Sequence, residues 1–384
     1  GGAFISYKSG EVKEEVDAAK NAISLLGGAD SEVIYFTLPE TDMQRSFVKI
    51  DKINVLFRIF KKGPLKFSIC YVPMAPEFKM KNCVPGFEVQ AESEVGYVKS
   101  LGVLSEKIRD NLSEKPLFIR FDVPLDMPSV EIRDEYLLRL DELSKIAGVN
   151  LKKSKTDIQP PDSTFLDLSL SEDELLKNMK SKWRYNIRYA SKHGVEVRAV
   201  DADSADFEKD LNSFYSLYKE TASRDGIGLH PLSYYRDLLE RGAKSSKSGS
   251  ENRTKITLYI ASHEGEDLAA IITLFQDNEA VYLYGCSSNN KRNLMPNYLV
   301  QWTAICDAKN YGSKIYDFYG IPPTGSENHP MHGLYLFKTG FGGREVHRPG
   351  SVDIPLSKIY GLYCLAENLR AFYHKKIMKK IRGR

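Results

Sequence analysis

The sequence predicts an α/β (α+β) protein made of two tandem units that each mix helices with strands. Its 384 residues exceed what a single hydrophobic core usually serves. Runs of β-branched and aromatic residues alternate with helical apolar spacing in both halves. Consecutive prolines, Pro160 and Pro161, interrupt regular structure between the halves. The pattern therefore predicts domains at residues 1–155 and 156–365, followed by a basic C-terminal helix over 366–384.

The order of elements is similar in the two halves. The first half is predicted to contain Glu11–Leu26 and Glu94–Leu112 as helices and Asn54–Phe60, Lys66–Val72 and Leu117–Phe121 as strands. The second half is predicted to contain Glu172–His193, Asp206–Thr221 and Asn297–Tyr311 as helices and Ile256–Ser262, Leu268–Gln276, Ala280–Gly285 and Lys314–Phe318 as strands. The Ser-, Lys- and Gly-rich stretch 243–255 predicts a flexible loop before the three successive strands.

Composition excludes several classes of protein. With 42% hydrophobic and 27% charged residues the chain is typical of globular proteins. The N-terminal residues lack the pattern of a signal peptide, and no apolar run is long enough to span a membrane. The five cysteines are scattered without CxxC spacing, which argues against a disulfide framework and a zinc site. These features predict a cytoplasmic protein without a metal centre.

Positive charge is concentrated at the C-terminus. Residues 367–384 contain seven Lys or Arg and one acid, although the whole chain has a formal net charge of only +3. Ile377, Met378 and Ile381 recur at helical spacing, so a basic amphipathic helix that rests on anionic lipid or on an RNA backbone is one interpretation. A solvated C-terminal helix is the other.

A basic ridge is predicted on the helix that starts at Glu172. Ser171 and Glu174 form the pattern of a capping box, and Gly194 is placed to end the helix. Five cations recur at three- or four-residue spacing: Lys177, Lys180, Arg184, Arg188 and Lys192. Such a ridge is either a solvated face or a contact surface for a tRNA backbone, in which Lys180, Arg184 and Arg188 are the candidate tRNA ligands.

The most informative stretch is Ile315–Gly343, which passes from a strand through a proline-bounded loop to Lys338. Glycines at 340, 342 and 343 allow positive φ or close backbone approach, and Phe337 and Phe341 supply apolar walls. An ammonium held there would stabilise developing negative charge. A Gly-rich turn with a solvated lysine is the alternative.

Several segments together resemble the FemABX family of non-ribosomal peptidyltransferases, and most closely its FemX-like members. They are KSKWRYNIRYASKHGVEV, YKETASRDGI, AVYLYGCSSNNKRNLMPNYLVQWTAICDAKNYG, YDFYGIPP and HGLYLFKTGFGG, in order between residues 150 and 365. The resemblance implies two GNAT-like domains. It also implies transfer of an amino acid from aminoacyl-tRNA, as co-substrate and without a cofactor, to the third residue of a peptidoglycan stem peptide. The acceptor is UDP-MurNAc-pentapeptide or its lipid-linked form at the inner membrane surface, and the protein is expected to be a monomer.

The resemblance also assigns roles to individual residues. Lys338 is expected to stabilise the tetrahedral oxyanion, and Phe337 is expected to stack on the tRNA acceptor end. His332, which precedes the glycine motif, either binds the tRNA terminus or caps the loop. Arg224 and Tyr284 match residues that contact the diphosphate and sugar of the acceptor. Tyr282 shares a face with Tyr284 if the strand is regular, so alternation does not separate the two, and a tyrosine packed in the core is the alternative for both. Residues 1–50, and Met74 and Ala75, depart from the family pattern, so first-domain contacts are not assigned.

The proton relay has two candidates. Asp122 and Asp317 lie near the ends of predicted strands, where a carboxylate faces a cleft or caps a turn. No Ser/His/Asp or Cys/His arrangement supports a covalent acyl-enzyme.

Two other functions are consistent with the sequence. One is an acyl-CoA-dependent N-acyltransferase, although the sequence lacks a clear Q/RxxGxG/A loop for the pyrophosphate. The other is a non-catalytic protein that binds RNA or a membrane surface through its basic segments.

Overall fold

The computed structural model describes residues 33–37, 44–48, 55–62, 65–74, 91–112, 114–200, 202–247, 254–276 and 278–372. The predicted helix Glu11–Leu26 and residues 373–384 of the basic segment lie outside this part of the chain. The described strands are β1 (Val33–Thr37), β2 (Gln44–Val48), β3 (Leu56–Lys62), β4 (Leu65–Val72), β5 (Phe118–Val123), β6 (Lys152–Lys153), β7 (Asp162–Asp167), β8 (Glu196–Val200), β9 (Lys255–His263), β10 (Glu266–Phe275), β11 (Glu279–Ser287), β12 (Ile315–Asp317), β13 (Arg344–His347) and β14 (Gly350–Pro355).

The described helices agree with most of the predicted ones. They are α1 (Ala91–Asp110), α2 (Val130–Ala147), α3 (Glu172–Asn178), α4 (Ser181–Lys192), α5 (Phe207–Asp225), α6 (Leu232–Lys247), α7 (Pro296–Tyr311), α8 (His332–Thr339) and α9 (Tyr360–Phe372). The loop predicted from residue 243 is wrong at its start, because α6 continues to Lys247.

The chain forms two compact units, and the first is discontinuous. Residues 1–161 and 347–384 make up one unit, and residues 162–346 make up the other. This division differs from the predicted boundaries at 155 and 365. The reason is that β14 pairs antiparallel with β5 and β6 and so returns the chain to the first sheet. Because this pairing joins segments far apart in sequence, local patterns do not predict it.

The first unit contains a five-stranded sheet in the order β3-β4-β5-β14-β6. The β4–β5 pair is parallel, whereas β3–β4, β5–β14 and β14–β6 are antiparallel. Helices α1 and α2 contribute to a core that includes Leu101, Phe121 and Leu140. The Ser129 side chain caps the start of α2, and Gly148 at φ +69° ends it.

The second unit contains a seven-stranded sheet in the order β13-β7-β12-β11-β10-β9-β8. Tyr259 and Ile271 belong to a core with α3, α4 and α7, whereas Leu258 and Ile272 belong to a core with α5 and α6. Adjacent residues of a strand point to opposite faces. Both faces of this sheet are therefore covered by helices, in agreement with the predicted fold class.

The predicted helix Glu172–His193 is two helices. It breaks at Met179 and Lys180, whose ψ angles of 155° and 140° are extended. The Lys180 N–H donates to the carbonyl of Gly340 at 2.9 Å, which removes it from the helical pattern. The predicted capping box of Ser171 and Glu174 is present. A tertiary hydrogen bond therefore overrides a helical periodicity that continues through the break.

Candidate functional site

The seven-stranded sheet opens at the C-terminal ends of its parallel pair. β11 and β12 pair over three residues, from Glu279 with Ile315 to Val281 with Asp317. β12 then ends, whereas β11 continues to Ser287. In open α/β sheets, ligands bind in the crevice beyond the carboxyl ends of such strands. This opening is therefore a candidate ligand-binding site.

The side chain of Lys338, on α8, fills this opening. It is 6% exposed, and its Nζ donates hydrogen bonds to the carbonyls of Tyr319 and Gly320, the latter at 2.9 Å. Nζ also lies 5.2 Å from the ring centroid of Tyr282. An ammonium has three N–H donors, and the third has no partner among the described residues. One donor thus remains for an oxygen atom that enters the opening.

Burial changes the acidity of Lys338. Removal from water lowers its pKa to about 7, and the nearby charge of Asp317 opposes only part of this effect. No carboxylate in the described part of the chain forms an ion pair with Lys338. Near neutral pH the group therefore populates both its ammonium and its amine form, as a catalytic acid or base requires.

The turn after β12 positions the two carbonyls that bind Lys338. The Oδ1 atom of Asp317 accepts hydrogen bonds from the Tyr319 N–H at 2.6 Å and from the hydroxyl of Ser163. Tyr319 and Gly320 have φ angles of +50° and +51°, which is unusual for a tyrosine. A carboxylate that binds the N–H two residues later stabilises such a turn. The contacts of Asp317 are those of a turn cap.

The glycines after Lys338 serve the packing of α8. A Cβ on Gly340 would lie 2.2 Å from the indole of Trp183, and Gly342 has a φ of +92°. The Trp183 Nε1 donates to the carbonyl of Phe337 at 2.9 Å. Close backbone approach, which the sequence predicted, is therefore present. It joins the end of α8 to the start of α4 and fixes the helix that carries Lys338.

Tyr282 and Tyr284 do not share a face, contrary to the expectation for a regular strand. The β10–β11 register shifts, so that Tyr282 pairs with Thr273 and Tyr284 with Ile272. This β-bulge leaves one extra residue in β11 and reverses the side on which later side chains project. Tyr282 consequently packs with the core on the Lys338 side, and Tyr284 with the core of α5 and α6.

The predicted acceptor ligands are Arg224, on α5, and Tyr284, on β11, and Arg224 contacts the C-terminal end of that strand. The Arg224 Nη1 donates to the carbonyl of Ser287 at 3.1 Å and to Asn289 Oδ1 at 2.9 Å. The hydroxyl of Tyr284 lies 3.0 Å from that of Tyr234. Burial raises the pKa of Tyr284 to about 12, and neighbouring phenols, including that of Tyr319, affect it less.

Phe337 and His332 belong to α8 but differ in their surroundings. Phe337 is half-buried and its ring lies 5.4 Å from that of Tyr298 and 5.3 Å from that of Phe341. His332 precedes Lys338 by six residues, which places it about 120° away around the helix. Its Nδ1 is buried without a hydrogen-bond partner among the described residues.

Asp122 lies in the other unit. It is on β5, 3% exposed, and accepts hydrogen bonds from the hydroxyls of Tyr71 and Ser351. Burial raises the pKa of its carboxyl group, and these two hydrogen bonds oppose the rise. Within the first unit its contacts tie β4, β5 and β14 together.

The basic ridge is only partly available to a ligand. The Arg184 Nη1 donates to the carbonyls of Leu176 at 3.2 Å, Lys177 at 3.0 Å and Met179, and so it caps the end of α3. The Nζ of Lys180 lies 5.7 Å from the ring centroid of Trp183. Arg188, by contrast, is exposed on α4.

Two residues next to Lys338 were not assigned roles from the sequence. Tyr319 contributes a backbone carbonyl, which no side-chain pattern reveals. Tyr282 contributes its ring, and Gly285 makes room for it, because a Cβ there would lie 1.8 Å from the Tyr282 hydroxyl. The spacing of Tyr282 and Tyr284 in the sequence suggests that both side chains lie on one face of β11. The bulge places them on opposite faces, so the spacing alone does not identify Tyr282 as a neighbour of Lys338.

No helix among the described residues is both long and apolar enough to cross a membrane.

The sequence matches the FemAB family over residues 145–247 and 239–368, which is more than half of the chain. A lipid II:glycine glycyltransferase of Staphylococcus epidermidis is 25% identical over 386 aligned positions, covering 85% of this chain and 86% of that protein. The protein of that name in Staphylococcus aureus is 24% identical, covering 84% and 86%. The crystal structure of FemX superposes with a TM-score of 0.61 at 20% identity, covering 90% of this chain and 93% of FemX, and it confirms the predicted fold.

Proposed function

This chain belongs to the FemAB family, and we propose that it is an aminoacyltransferase of peptidoglycan bridge formation. The reaction moves an amino acid from aminoacyl-tRNA to the side-chain amine at position 3 of the stem peptide. The observation that carries the proposal is the buried Lys338, which in its ammonium form keeps one N–H free and which has a pKa of about 7. The relatives are named for transfer of glycine to lipid II, which favours a lipid-linked acceptor.

Each step of aminolysis has a group that suits it. The neutral acceptor amine attacks the ester carbonyl, and the resulting oxyanion accepts a hydrogen bond from the free N–H of Lys338. The bond from the carbonyl carbon to the ribose oxygen then breaks, and a proton from the amine passes to that oxygen. Lys338 is suited to relay this proton because both of its forms are populated near neutral pH. The ring of Tyr282 stabilises the ammonium form through a cation–π contact.

Other residues hold the substrates in this proposal. Arg224 binds the acceptor diphosphate, since a guanidinium suits bidentate phosphate contacts, and Tyr284 contacts the sugar. Phe337 and His332 contact the acylated tRNA end. Asp317 positions the turn that holds Lys338, and no cofactor is needed. Charged tRNA and a lipid-linked acceptor meet at the cytoplasmic side of the membrane, where we expect the protein to act.

The test is a transfer assay with defined substrates. The protein is incubated with a panel of charged tRNAs and with lipid-linked or UDP-linked muramyl pentapeptide, and products are weighed by mass spectrometry. We expect a gain of one amino-acid residue, lost with Lys338→Met and with an acceptor that lacks an amine at position 3. Transfer from acetyl-CoA instead would indicate the N-acyltransferase alternative. No gain with any donor and acceptor pair would contradict the proposal.

A further inference from the structure

The outer face of α4 carries three aromatic rings in a row. Tyr185, Tyr189 and His193 are four residues apart, so they follow one another along the same side. The ring centroids of Tyr185 and Tyr189 are 5.7 Å apart, and those of Tyr189 and His193 are 3.8 Å apart at an interplanar angle of 24°. Tyr185 ends the row and is 62% exposed. One of its faces is therefore open to another planar ring.

Three cations surround this row. Lys182, Arg188 and Lys192 are exposed, and helical geometry places each within about 60° of Tyr185 around the axis. Helix α4 contains no acidic residue. In the described part of the chain none of the three forms an ion pair or a hydrogen bond with a side chain. Arg198 of the same unit, by contrast, forms ion pairs with Asp210 and Asp267.

A groove of about 390 Å³ lies beside the same cations. Its lining includes apolar side chains from α3, α4 and α7, together with Arg188 and Lys192. They are Leu176, Ile187, Leu299 and Trp302. Arg188 and Lys192 therefore line an apolar groove as well as lying near the aromatic row on the helix.

We propose that the outer face of α4 binds unpaired nucleotides of an RNA. One base stacks on Tyr185, and the adjoining phosphates contact Lys182, Arg188 and Lys192. Stacked bases and a charged backbone are the two features that single-stranded RNA offers together. An anionic membrane also satisfies the cations, but it does not explain an ordered stack of rings.

This inference rests on the proposed function, because the RNA it assigns is the donor tRNA. The inner face of α4 carries Trp183, which is hydrogen-bonded to Phe337 next to Lys338. RNA on the outer face therefore lies about one helix diameter, ~10 Å, from the segment that holds Lys338. We assign the site to unpaired nucleotides of the tRNA that precede its acylated end.

Binding is measured by fluorescence anisotropy with the full-length protein, a labelled single-stranded RNA oligonucleotide and uncharged tRNA. Tyr185→Ala should weaken oligonucleotide binding about tenfold, whereas Tyr185→Phe should bind like wild type. The triple variant Lys182→Ser/Arg188→Ser/Lys192→Ser should reduce the salt slope of binding by about 2. A matched triple, Lys99→Ser/Lys107→Ser/Lys145→Ser, removes three exposed cations of the first unit and should change neither.

Two results would overturn the assignment. One is wild-type RNA affinity in Tyr185→Ala together with equal effects of the two triple variants. The other is that the α4 triple variant loses binding to vesicles of anionic phospholipid but not to RNA, which would assign the face to a membrane surface.

A transfer assay separates this inference from the proposed function. Tyr185→Ala should raise KM for charged tRNA about tenfold, leave kcat unchanged, and leave the rate with 3′-aminoacyl-adenosine unchanged. If the wild type transfers and KM does not change in the variant, the α4 site is wrong. If the wild type transfers nothing but Tyr185→Ala still weakens RNA binding, the site stands and the proposed function fails.

Discussion

Among the described residues, each unit buries one Lys or Arg side chain beside its central sheet, and the two cations have different partners. Arg120, on β5 of the first unit, is 4% exposed and binds Asp353 through two hydrogen bonds of 2.7 and 2.9 Å. Lys338 is 6% exposed, and among the described residues it donates hydrogen bonds only to backbone carbonyls. Burial lowers the pKa of Arg120, but its hydrogen bonds to Asp353 and Glu367 and the charges of these carboxylates outweigh burial and raise the pKa. At Lys338 burial dominates and lowers the pKa to about 7.

The difference separates a structural cation from a reactive one. Two carboxylates fix the charge of Arg120, so it does not titrate and its donors are used. Carbonyl oxygens accept hydrogen bonds from Lys338 without a full counter-charge, so the proton on Lys338 stays labile. A buried amine of this kind is a strong marker of a functional site.

The largest expected effect is on stability at Arg120. Arg120→Met should lower the free energy of unfolding by about 3–5 kcal/mol, because it leaves the buried Asp353 and the partly buried Glu367 without their cationic partner. Urea denaturation measures this. Arg236→Met, which removes an exposed pair with Glu208, is the control and should cost less than about 1 kcal/mol. Equal effects of the two substitutions on the free energy of unfolding would contradict a structural role for Arg120.

Lys338→Met should have the opposite effect: it should lower the rate of transfer but not the free energy of unfolding. The rate of aminoacyl transfer should fall by about 10²–10³, since one preorganised donor to the oxyanion is lost. Stability at pH 7 should not fall, because methionine fills the site without a charge to desolvate. Single-turnover transfer and urea denaturation of the same preparation test both statements. A variant that unfolds but keeps its specific activity would make Lys338 a structural residue like Arg120.

The pH dependence of stability also distinguishes Lys338 from Arg120. The pKa of Lys338 is about 7 when folded against an ordinary 10.5, so between these values the unfolded chain binds one more proton. Stability of the wild type should therefore rise with pH in this window, by at most about 1.4 kcal/mol per unit. The measurement is the difference between wild type and Lys338→Met in urea midpoints at pH 7 and 9. A difference that does not change with pH would exclude the lowered pKa.

The smallest effect is expected at Tyr282. Tyr282→Leu removes the ring 5.2 Å from the Lys338 Nζ, so it should lower the pKa of that lysine further and slow transfer about fivefold. Tyr282→Phe keeps the ring and should retain the wild-type pKa. The break in the pH–rate profile reports this. If both variants behave alike, the hydroxyl of Tyr282 acts instead of its ring.

Local patterns predicted much of the fold but little of the environment of Lys338. The strands β9, β10 and β11 lie within two residues of their predictions, because alternation and length identify buried strands. Lys338 itself was identified from its setting among glycines. Its partners are backbone carbonyls in a left-handed turn, and they come within reach only through tertiary structure.

Three other features depend on contacts that sequence spacing does not contain. The bulge in β11 separates Tyr282 from Tyr284, although their spacing is that of one face. Arg184 turns back onto the end of α3 instead of continuing the basic ridge. β14 returns to the first sheet, so the unit boundary lies at residue 346 instead of 365. Each is a long-range or irregular feature that overrides a regular period.

The most direct measurement is an NMR titration of the protein labelled with 13C at lysine Cε, compared with the same spectra of Lys338→Met. One lysine signal is expected to titrate near pH 7 and to be missing from the variant. If no lysine signal titrates near pH 7, the pKa of Lys338 is not lowered and the proposed chemistry of this site is wrong.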